Sequence, residues 1–145
     1  MNNNEESNLR QRIIDEMTVD YSNTLEKNFE LAKQFIRITK DGKVDVLHKE
    51  QMNGKDLILL YLIGKLYAKE AGFVATNNVG NEELVNELGI PRGSLFPWLK
   101  WLREENRVRQ VKKGRYVYHN ISENLVERTL KRIEEKLRRK MEGVK

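Results

Sequence analysis

Apolar residues recur every three or four positions over most of this chain, which is the period of an amphipathic helix. This period predicts a helix over residues 9–17 and a second helical stretch over residues 21–36. The two stretches form either one long helix or two helices with a break near residues 18–20. Near the other end of the sequence, an apolar stripe predicts a final helix over residues 124–141.

The most apolar part of the chain belongs to a helix that is predicted to begin after Asn53. The Asn53 side chain can cap a helix start, and Gly72 tolerates the left-handed conformation that ends many helices. Residues 57–63 are apolar on nearly every face, so we expect this helix to lie at the centre of the core. Gly64 in the same helix would let another element approach closely.

Two segments change to the period of two that is typical of β-strands. Residues 36–47 alternate apolar and polar side chains on both sides of Asp41-Gly42, a pair that favours a type I′ turn. We therefore favour a β-hairpin here over the alternative of a helix that ends near Ile38. Residues 108–118 form a second predicted hairpin, with the basic tip Lys112-Lys113-Gly114-Arg115.

Between the two hairpins the pattern is mainly helical again. A very short strand is predicted over residues 73–76, followed by a short helix over residues 80–89 that ends at Gly89. After a tight connection comes a helix with an apolar stripe made of Leu95, Leu99 and Leu102. Because a proline ring clashes with an earlier carbonyl inside a helix, this helix either begins near Ser94 or kinks at Pro97.

Charge is distributed unevenly along the 145 residues, which is about the length of one ordinary domain. Residues 92–119 contain 8 basic and 2 acidic side chains, a net charge of +6. Residues 120–145 add a net charge of +3, whereas residues 1–91 have a net charge of −4. A local basic excess is typical of a surface that binds a polyanion, although a solvated basic face gives the same pattern.

The composition argues against several classes of chemistry. The chain has no cysteine, which excludes disulfides, thiolate metal sites and cysteine nucleophiles. Its two histidines, His48 and His119, lack the spacing of a metal site or a catalytic triad. The longest apolar run is far shorter than the roughly 20 residues of a membrane span. We therefore expect a cytoplasmic protein with no membrane contact and without catalytic residues, a metal or a cofactor.

From Asn53 onward the predicted elements follow the order helix, short strand, helix, tight turn, helix and basic hairpin. The first helix of the pair and its turn contain Glu83-Leu84 and Leu88-Gly89. Ile90-Pro91 opens the connection, and Gly93-Ser94-Leu95 begins the second helix. In these features residues 53–120 resemble the winged helix-turn-helix family of archaeal and bacterial transcription regulators. The resemblance implies a mainly α fold with small β-hairpins, in which N-terminal helices and a C-terminal helix are added to a winged helix-turn-helix core.

The resemblance also implies that the second helix of the pair enters the major groove of double-stranded DNA with its N-terminal end. Arg92 would reach a guanine edge, and Ser94 would bind a base or a phosphate. The exposed face of this helix would add Phe96 or Pro97, together with Lys100 and Arg103. The wing would contact the DNA backbone or the minor groove through Lys112, Lys113, Arg115 and Tyr116.

These features divide the chain into an N-terminal helical and hairpin extension at residues 1–50, a winged helix-turn-helix domain at 51–121 and a C-terminal helix at 122–145. The apolar stripe of the last helix is narrow, so this helix needs a partner. It either folds back on residues 9–17 or pairs with a second copy. The centre of that dimer contact would be formed by Leu130, Ile133 and Leu137. Regulators of the resembled family are commonly dimers, which favours a homodimer.

Two functions from different classes follow from these expectations. The first is a non-enzymatic, dimeric transcriptional regulator that binds duplex DNA and is associated with the nucleoid. The alternative is a winged-helix module for protein–protein contacts within a larger nucleic-acid or chromatin assembly. The apolar sequence Phe96-Pro97-Trp98 is typical of such a contact. Salt-dependent binding to duplex DNA distinguishes the two.

Overall fold

The computed structural model describes residues 2–18 and 23–143, with side chains from Asn8 onward. Its helices are α1 (Asn2–Glu16), α2 (Thr24–Lys27), α3 (Phe29–Ala32), α4 (Gly54–Glu70), α5 (Asn81–Leu88), α6 (Arg92–Glu104) and α7 (Val126–Glu142). Its strands are β1 (Ile36–Ile38), β2 (Val44–Val46), β3 (Val79–Gly80), β4 (Arg109–Lys113) and β5 (Tyr116–Asn120). The described part is therefore mainly helical with two small antiparallel sheets.

Helix α4 lies at the centre of the core, as its apolar sequence predicts. Residues 58–63 are all 0% exposed, so every face of this stretch packs against other parts of the chain. The Asn53 side chain accepts a hydrogen bond from the backbone N–H of Asp56 at 2.8 Å, which caps the helix. Gly72 follows the helix with a φ of 82°. The predicted start and end of α4 are thus both confirmed.

Gly64 is the point at which the first hairpin approaches α4 most closely. A Cβ atom built on Gly64 would lie 2.4 Å from a methyl carbon of Val44 in β2. Strands β1 and β2 form the predicted antiparallel hairpin, with Ile36 opposite Val46 and Ile38 opposite Val44. The hairpin presents its apolar face to α4 through these side chains, most of which are buried.

The predicted type I′ turn of this hairpin is wrong. The backbone N–H of Thr39 donates to the Lys43 carbonyl at 2.9 Å, which leaves a three-residue loop at the tip. A type I′ turn needs a positive φ at both central residues, but here only Gly42 has one, at 85°. The Gly42 N–H donates back to the Thr39 carbonyl at 3.0 Å, as expected for a tight turn followed by one left-handed residue.

The helical stretch predicted over residues 21–36 is broken into α2 and α3. Asn28 separates the two helices, and its buried side-chain amide donates to the Thr24 carbonyl at 2.9 Å. Such a local bond competes with a continuous helical ladder. One long helix from residue 9 is excluded, because α1 ends at Glu16 and the next helix begins at Thr24. Tyr21 and most of the predicted break lie outside the described residues.

The second sheet has the strand order β3-β5-β4, with antiparallel pairs throughout. The short strand predicted over residues 73–76 is wrong, because the strand lies at Val79–Gly80 instead. Val79 is 0% exposed and pairs opposite His119, whereas Phe73 is 42% exposed and forms no strand pair. The strand therefore forms where the chain is buried, at Val79, and not at the apolar residues 73–76.

Helix α6 begins at Arg92, so the predicted alternative of a start near Ser94 is wrong. Pro97 therefore lies beyond the first turn of the helix. It cannot donate to the carbonyl of Gly93, but Gly93 is exposed and water can satisfy that carbonyl. The predicted apolar stripe is confirmed, since Leu95, Leu99 and Leu102 are at most 1% exposed.

Helix α7 packs into the core of its own chain. Val126, Leu130 and Ile133 are at most 1% exposed and belong to the same hydrophobic cluster as α4. Two expectations are therefore wrong: Leu130 and Ile133 cannot form the centre of a dimer contact, and α7 does not pack on residues 9–17. The apolar side chains of that segment are 44–76% exposed, namely Leu9, Ile13, Ile14 and Met17.

The contrast between two helical glycines gives a test of this packing. We expect Gly64→Ala to destabilise the protein by about 1 to 3 kcal/mol, because the new methyl group overlaps Val44. Gly93→Ala is the matched control, since no atom lies within 4 Å of its added Cβ. It should stabilise the protein by up to about 1 kcal/mol through helix propensity. Urea denaturation measures both changes, and equal effects at the two positions would contradict the close approach.

Candidate nucleic-acid interface

The buried stripe of α6 determines which of its side chains reach the surface. Because Leu95, Leu99 and Leu102 face the core, the flank with Arg92, Phe96 and Lys100 is exposed, and Phe96 is 45% exposed. Arg103 continues the same flank one turn later and is half-buried. Four of the predicted site residues therefore follow one another along one side of the helix, as the spacing of four, four and three residues requires.

Arg92 at the start of α6 is joined to Glu82 of α5 in a salt bridge. The two side chains are 55% and 64% exposed, so this pair contributes little to stability and is easily separated. Ser94 is half-buried, and its backbone N–H donates to the Pro91 carbonyl at 3.0 Å. The sequence contained no signal for the Glu82 contact, because the two residues belong to different helices.

The predicted basic tip of the second hairpin is only partly a loop. Lys113 pairs with Tyr116, and Lys112 pairs with Val117, so both lysines belong to β4. The loop itself is Gly114-Arg115, in which Gly114 has a φ of 61°. Since neighbouring strand residues point to opposite faces, Lys112 and Lys113 project from opposite sides of the hairpin β4–β5, which we call the wing.

The tip of the wing is nevertheless exposed and cationic. Lys112, Lys113 and Arg115 are all exposed, and Tyr116 is 59% exposed. The Arg115 guanidinium lies 5.7 Å from the centre of the Tyr116 ring, within the range of a cation–π contact. The four predicted wing residues are therefore all accessible to solvent, and the cationic side chains among them can donate hydrogen bonds to phosphate oxygens.

A buried polar contact fixes the wing against α5. His119 of β5 is 1% exposed, and its Nε2 lies 2.7 Å from the Asn81 Oδ1 at the start of α5. Burial, and then the positive charge of Arg103, lower the pKa of His119 to about 4. Nothing in the sequence singled out this histidine as a contact of α5. Its partner is 38 residues away, and only the pairing of β3 with β5 brings the two together.

A second buried contact fixes α5 against α4 and the first hairpin. The Lys65 ammonium is 5% exposed and donates to the Glu83 carboxylate at 2.7 Å and to the Gly42 carbonyl at 2.6 Å. The Tyr61 hydroxyl donates to the same carboxylate. Burial, and then the hydrogen bond to Glu83, raise the pKa of Tyr61. These bonds hold the helix that precedes α6 in one orientation.

The two tryptophans of α6 face the N-terminal end of α4 rather than the wing. Trp98 is half-buried and packs on Gly54, where an added Cβ would lie 2.0 Å from the ring. Trp101 is 39% exposed, and the Lys55 Nζ lies 3.9 Å from its ring centre. Both rings are therefore separated from the predicted DNA-contacting flank.

Comparisons with known proteins add no family to this geometry. No protein-family model matches the chain, no curated protein matches it significantly, and neither does any solved structure. Within residues 2–18 and 23–143, no helix has the length and apolar composition to span a bilayer. In the same part of the chain, no three acidic or histidine side chains are grouped to hold a metal ion.

The pKa of His119 leads to a prediction about pH. The folded-state pKa of about 4 lies below the ordinary value of 6.5, so protonation favours the unfolded chain. Above pH 6.5 the ring is neutral in both the folded and the unfolded chain, so the lowered pKa does not change the free energy of unfolding. That free energy decreases as the pH falls from 6.5 towards 4. Between pH 7 and pH 4 we expect the wild type to lose about 3 kcal/mol more unfolding free energy than His119→Gln. Urea titrations at a series of pH values measure this difference, and parallel curves would contradict it.

Proposed function

We propose that this chain is a non-enzymatic winged helix-turn-helix protein that binds duplex DNA and acts as a dimeric transcriptional regulator. The observation that carries the proposal is that exposed cationic side chains lie along one flank of α6 and at the tip of the wing. Residues 92–119, which supply this surface, have a net charge of +6. Such a protein would be associated with the nucleoid.

The order of the elements supports the proposal. Helix α4 is followed by β3, α5, α6, β4 and β5, and the strands form one sheet in the order β3-β5-β4. Helices α5 and α6 are separated by the three residues Gly89-Ile90-Pro91, and Gly89 has a φ of 67°. A three- or four-residue turn that contains glycine is typical of helix-turn-helix pairs.

In this proposal the N-terminal end of α6 enters the major groove. Arg92 leaves its exposed pair with Glu82 and donates two hydrogen bonds to a guanine edge. Ser94 binds a base or a phosphate beside it. Lys100 and Arg103, further along the same flank, meet phosphates, while the wing contacts the adjacent backbone.

A different observation favours the alternative function as a protein-interaction module. Phe96 lies in the middle of the proposed DNA-contacting flank and is 45% exposed, and Pro97 beside it is also exposed. An apolar side chain there is suited to a protein contact, although it can also pack against a thymine methyl group. DNA binding decides between the two functions.

The dimer contact that we propose is α1 rather than α7. Its exposed apolar stripe is flanked by Arg10 and Arg12 towards the N-terminal end and by Asp15 and Glu16 towards the C-terminal end. Two copies of α1 in antiparallel orientation would bury the stripe. They would also bring the arginines of each copy near the carboxylates of the other. A self-complementary surface of this kind is what a two-fold symmetric dimer requires.

The DNA proposal is tested by removing the charges of the wing. We expect replacement of Lys112, Lys113 and Arg115 with Ala to leave stability within about 0.5 kcal/mol, because all three are exposed. Affinity for a duplex should fall, and the slope of log affinity against log salt should decrease by about 2 to 3 units. Fluorescence anisotropy with a labelled duplex, measured from low to moderate salt, gives both quantities.

The matched control removes three exposed cations that lie far along the chain from the wing. Replacement of Lys27, Lys40 and Lys49 with Ala changes the net charge equally and should leave the salt slope almost unchanged. Equal losses in the two triple variants would mean that only net charge attracts DNA. Failure of the wild type to bind any duplex at low salt would favour the protein-interaction module.

The dimer is tested by placing charge on the α1 stripe. We expect the wild type to sediment as a dimer at micromolar concentration. Ile13→Asp/Ile14→Asp should yield a folded monomer, with the dissociation constant raised more than about 100-fold by the cost of burying ions. Asn8→Asp/Gln11→Glu adds the same charge on the opposite face and should remain dimeric. A wild type that sediments as a monomer would rule the contact out.

A further inference from the structure

A second cationic site lies where the end of α6 meets the beginning of α7. A cavity of about 350 Å³ at this place is lined by three arginines, Arg107, Arg128 and Arg132, together with Thr129 and Glu105. We call the three arginines and Thr129 the arginine pocket. Nothing in the proposed DNA contact uses these residues.

The backbone holds Arg107 in a fixed position at this cavity. The N–H of Arg107 donates to the Leu102 carbonyl at 2.8 Å, and the N–H of Asn106 donates to the Arg103 carbonyl at 2.9 Å. With Asn106 in the left-handed conformation at a φ of 58°, this is a Schellman end to α6. The chain therefore leaves the helix in one direction and carries the Arg107 side chain towards α7.

Helix α7 supplies the other side of the pocket. Arg128 and Arg132 are four residues apart, so they lie on the same face of the helix, one turn from each other. Both side chains are exposed, whereas Thr129 between them is only 4% exposed. A ligand in the cavity would thus meet two solvent-accessible guanidinium groups and one half-buried guanidinium.

The described part of the chain balances the charges of the pocket only in part. The Nη2 atom of Arg107 is buried and has no hydrogen-bond partner there. None of the three arginines forms a salt bridge with a described residue. Burial, and then the charges of Arg132 and Arg128, lower the pKa of Arg107, although Asp56 and Glu105 partly oppose this effect. An anion bound among the guanidinium groups would relieve the repulsion between them.

We propose that the arginine pocket binds the phosphate group of a small molecule. Guanidinium groups match the geometry of phosphate oxygens in pairs of hydrogen bonds, and three of them converge on one cavity here. The cavity volume lies within the range of about 300 to 1,000 Å³ that is usual for small-molecule sites. It leaves room for more of the ligand than the phosphate itself.

A backbone phosphate of nucleic acid is a second source of the same chemistry, but the position of the pocket argues against it. Arg92 begins α6, whereas Arg107 follows its C-terminal end, so the two residues are about 20 Å apart along the helix axis at 1.5 Å per residue. It also precedes β4, whose length separates it from the wing tip by about 16 Å or more. The pocket is therefore at the opposite end of both elements that we propose to contact the duplex.

Inorganic phosphate is the probe for this site. We expect phosphate, compared with chloride at equal ionic strength and pH, to raise the melting temperature of the full chain in a saturable way. Calorimetric titration should give one site per chain. Arg128→Gln/Arg132→Gln should weaken phosphate binding at least tenfold, and circular dichroism should show it folded, because both side chains are exposed. Arg107→Lys keeps the charge but loses paired hydrogen bonds, so its phosphate affinity should fall less than that of the double variant.

Lys131→Gln/Arg138→Gln is the matched control, since it removes two exposed charges of α7 that do not line the cavity. Its phosphate affinity should equal that of the wild type. The proposal is overturned if phosphate acts no differently from chloride, or if this control loses as much affinity as the pocket variant. A labelled duplex separates the two sources of phosphate. The pocket and control variants should bind it equally, and a selective loss in the pocket variant would assign the site to nucleic acid instead.

Discussion

The burial of α4 on every face is the constraint on which the rest of the structure depends. A helix with no solvent-exposed side must be surrounded, and one chain of this length surrounds it with a hairpin, α5, α6 and α7. The same burial includes a cation, Lys65, which would be very costly without partners. Glu83 and the Gly42 carbonyl supply them, so this buried polar contact also fixes the relative positions of three elements. The orientation of α6 at the surface follows from this arrangement.

The sequence predicts those features whose cause is local. The buried positions of α4 and α6 were predictable because they form a regular apolar pattern in neighbouring residues. Gly72 and Gly89 mark the ends of helices because few other residues adopt a positive φ. The close approach of another element to Gly64 was also predictable, since a glycine inside a good helical pattern requires a packing reason.

Features that depend on two distant segments were not predictable. The partner of His119 is Asn81, and Arg107 meets Arg128 and Arg132 only after α7 has folded against the core. The position of strand β3 depended on which residues pair with β5, and this pairing is not visible in the local pattern. The apolar stripe of α7 showed that the helix needs a partner, but not that this partner is the core of its own chain. The exposed flank of α6 was predictable, because the buried leucines determine which side chains of the helix face solvent. The Arg92–Glu82 pair was not predictable, because it joins two helices.

The position of β4 gives the wing lysines a further consequence. Among the described residues, β4 is the outer strand of its sheet, and one row of its backbone N–H and carbonyl groups has no neighbouring strand. Such an edge is a template on which another chain can add a strand, and lysines are a common means of preventing this. Lys112 and Lys113 occupy the part of β4 nearest the tip, where their charges would repel the same edge of a second molecule. Any polyanion that neutralised these charges would also remove this protection, unless it covered the edge itself. Lys112 and Lys113 are therefore under a constraint from colloidal stability that is independent of what the wing binds.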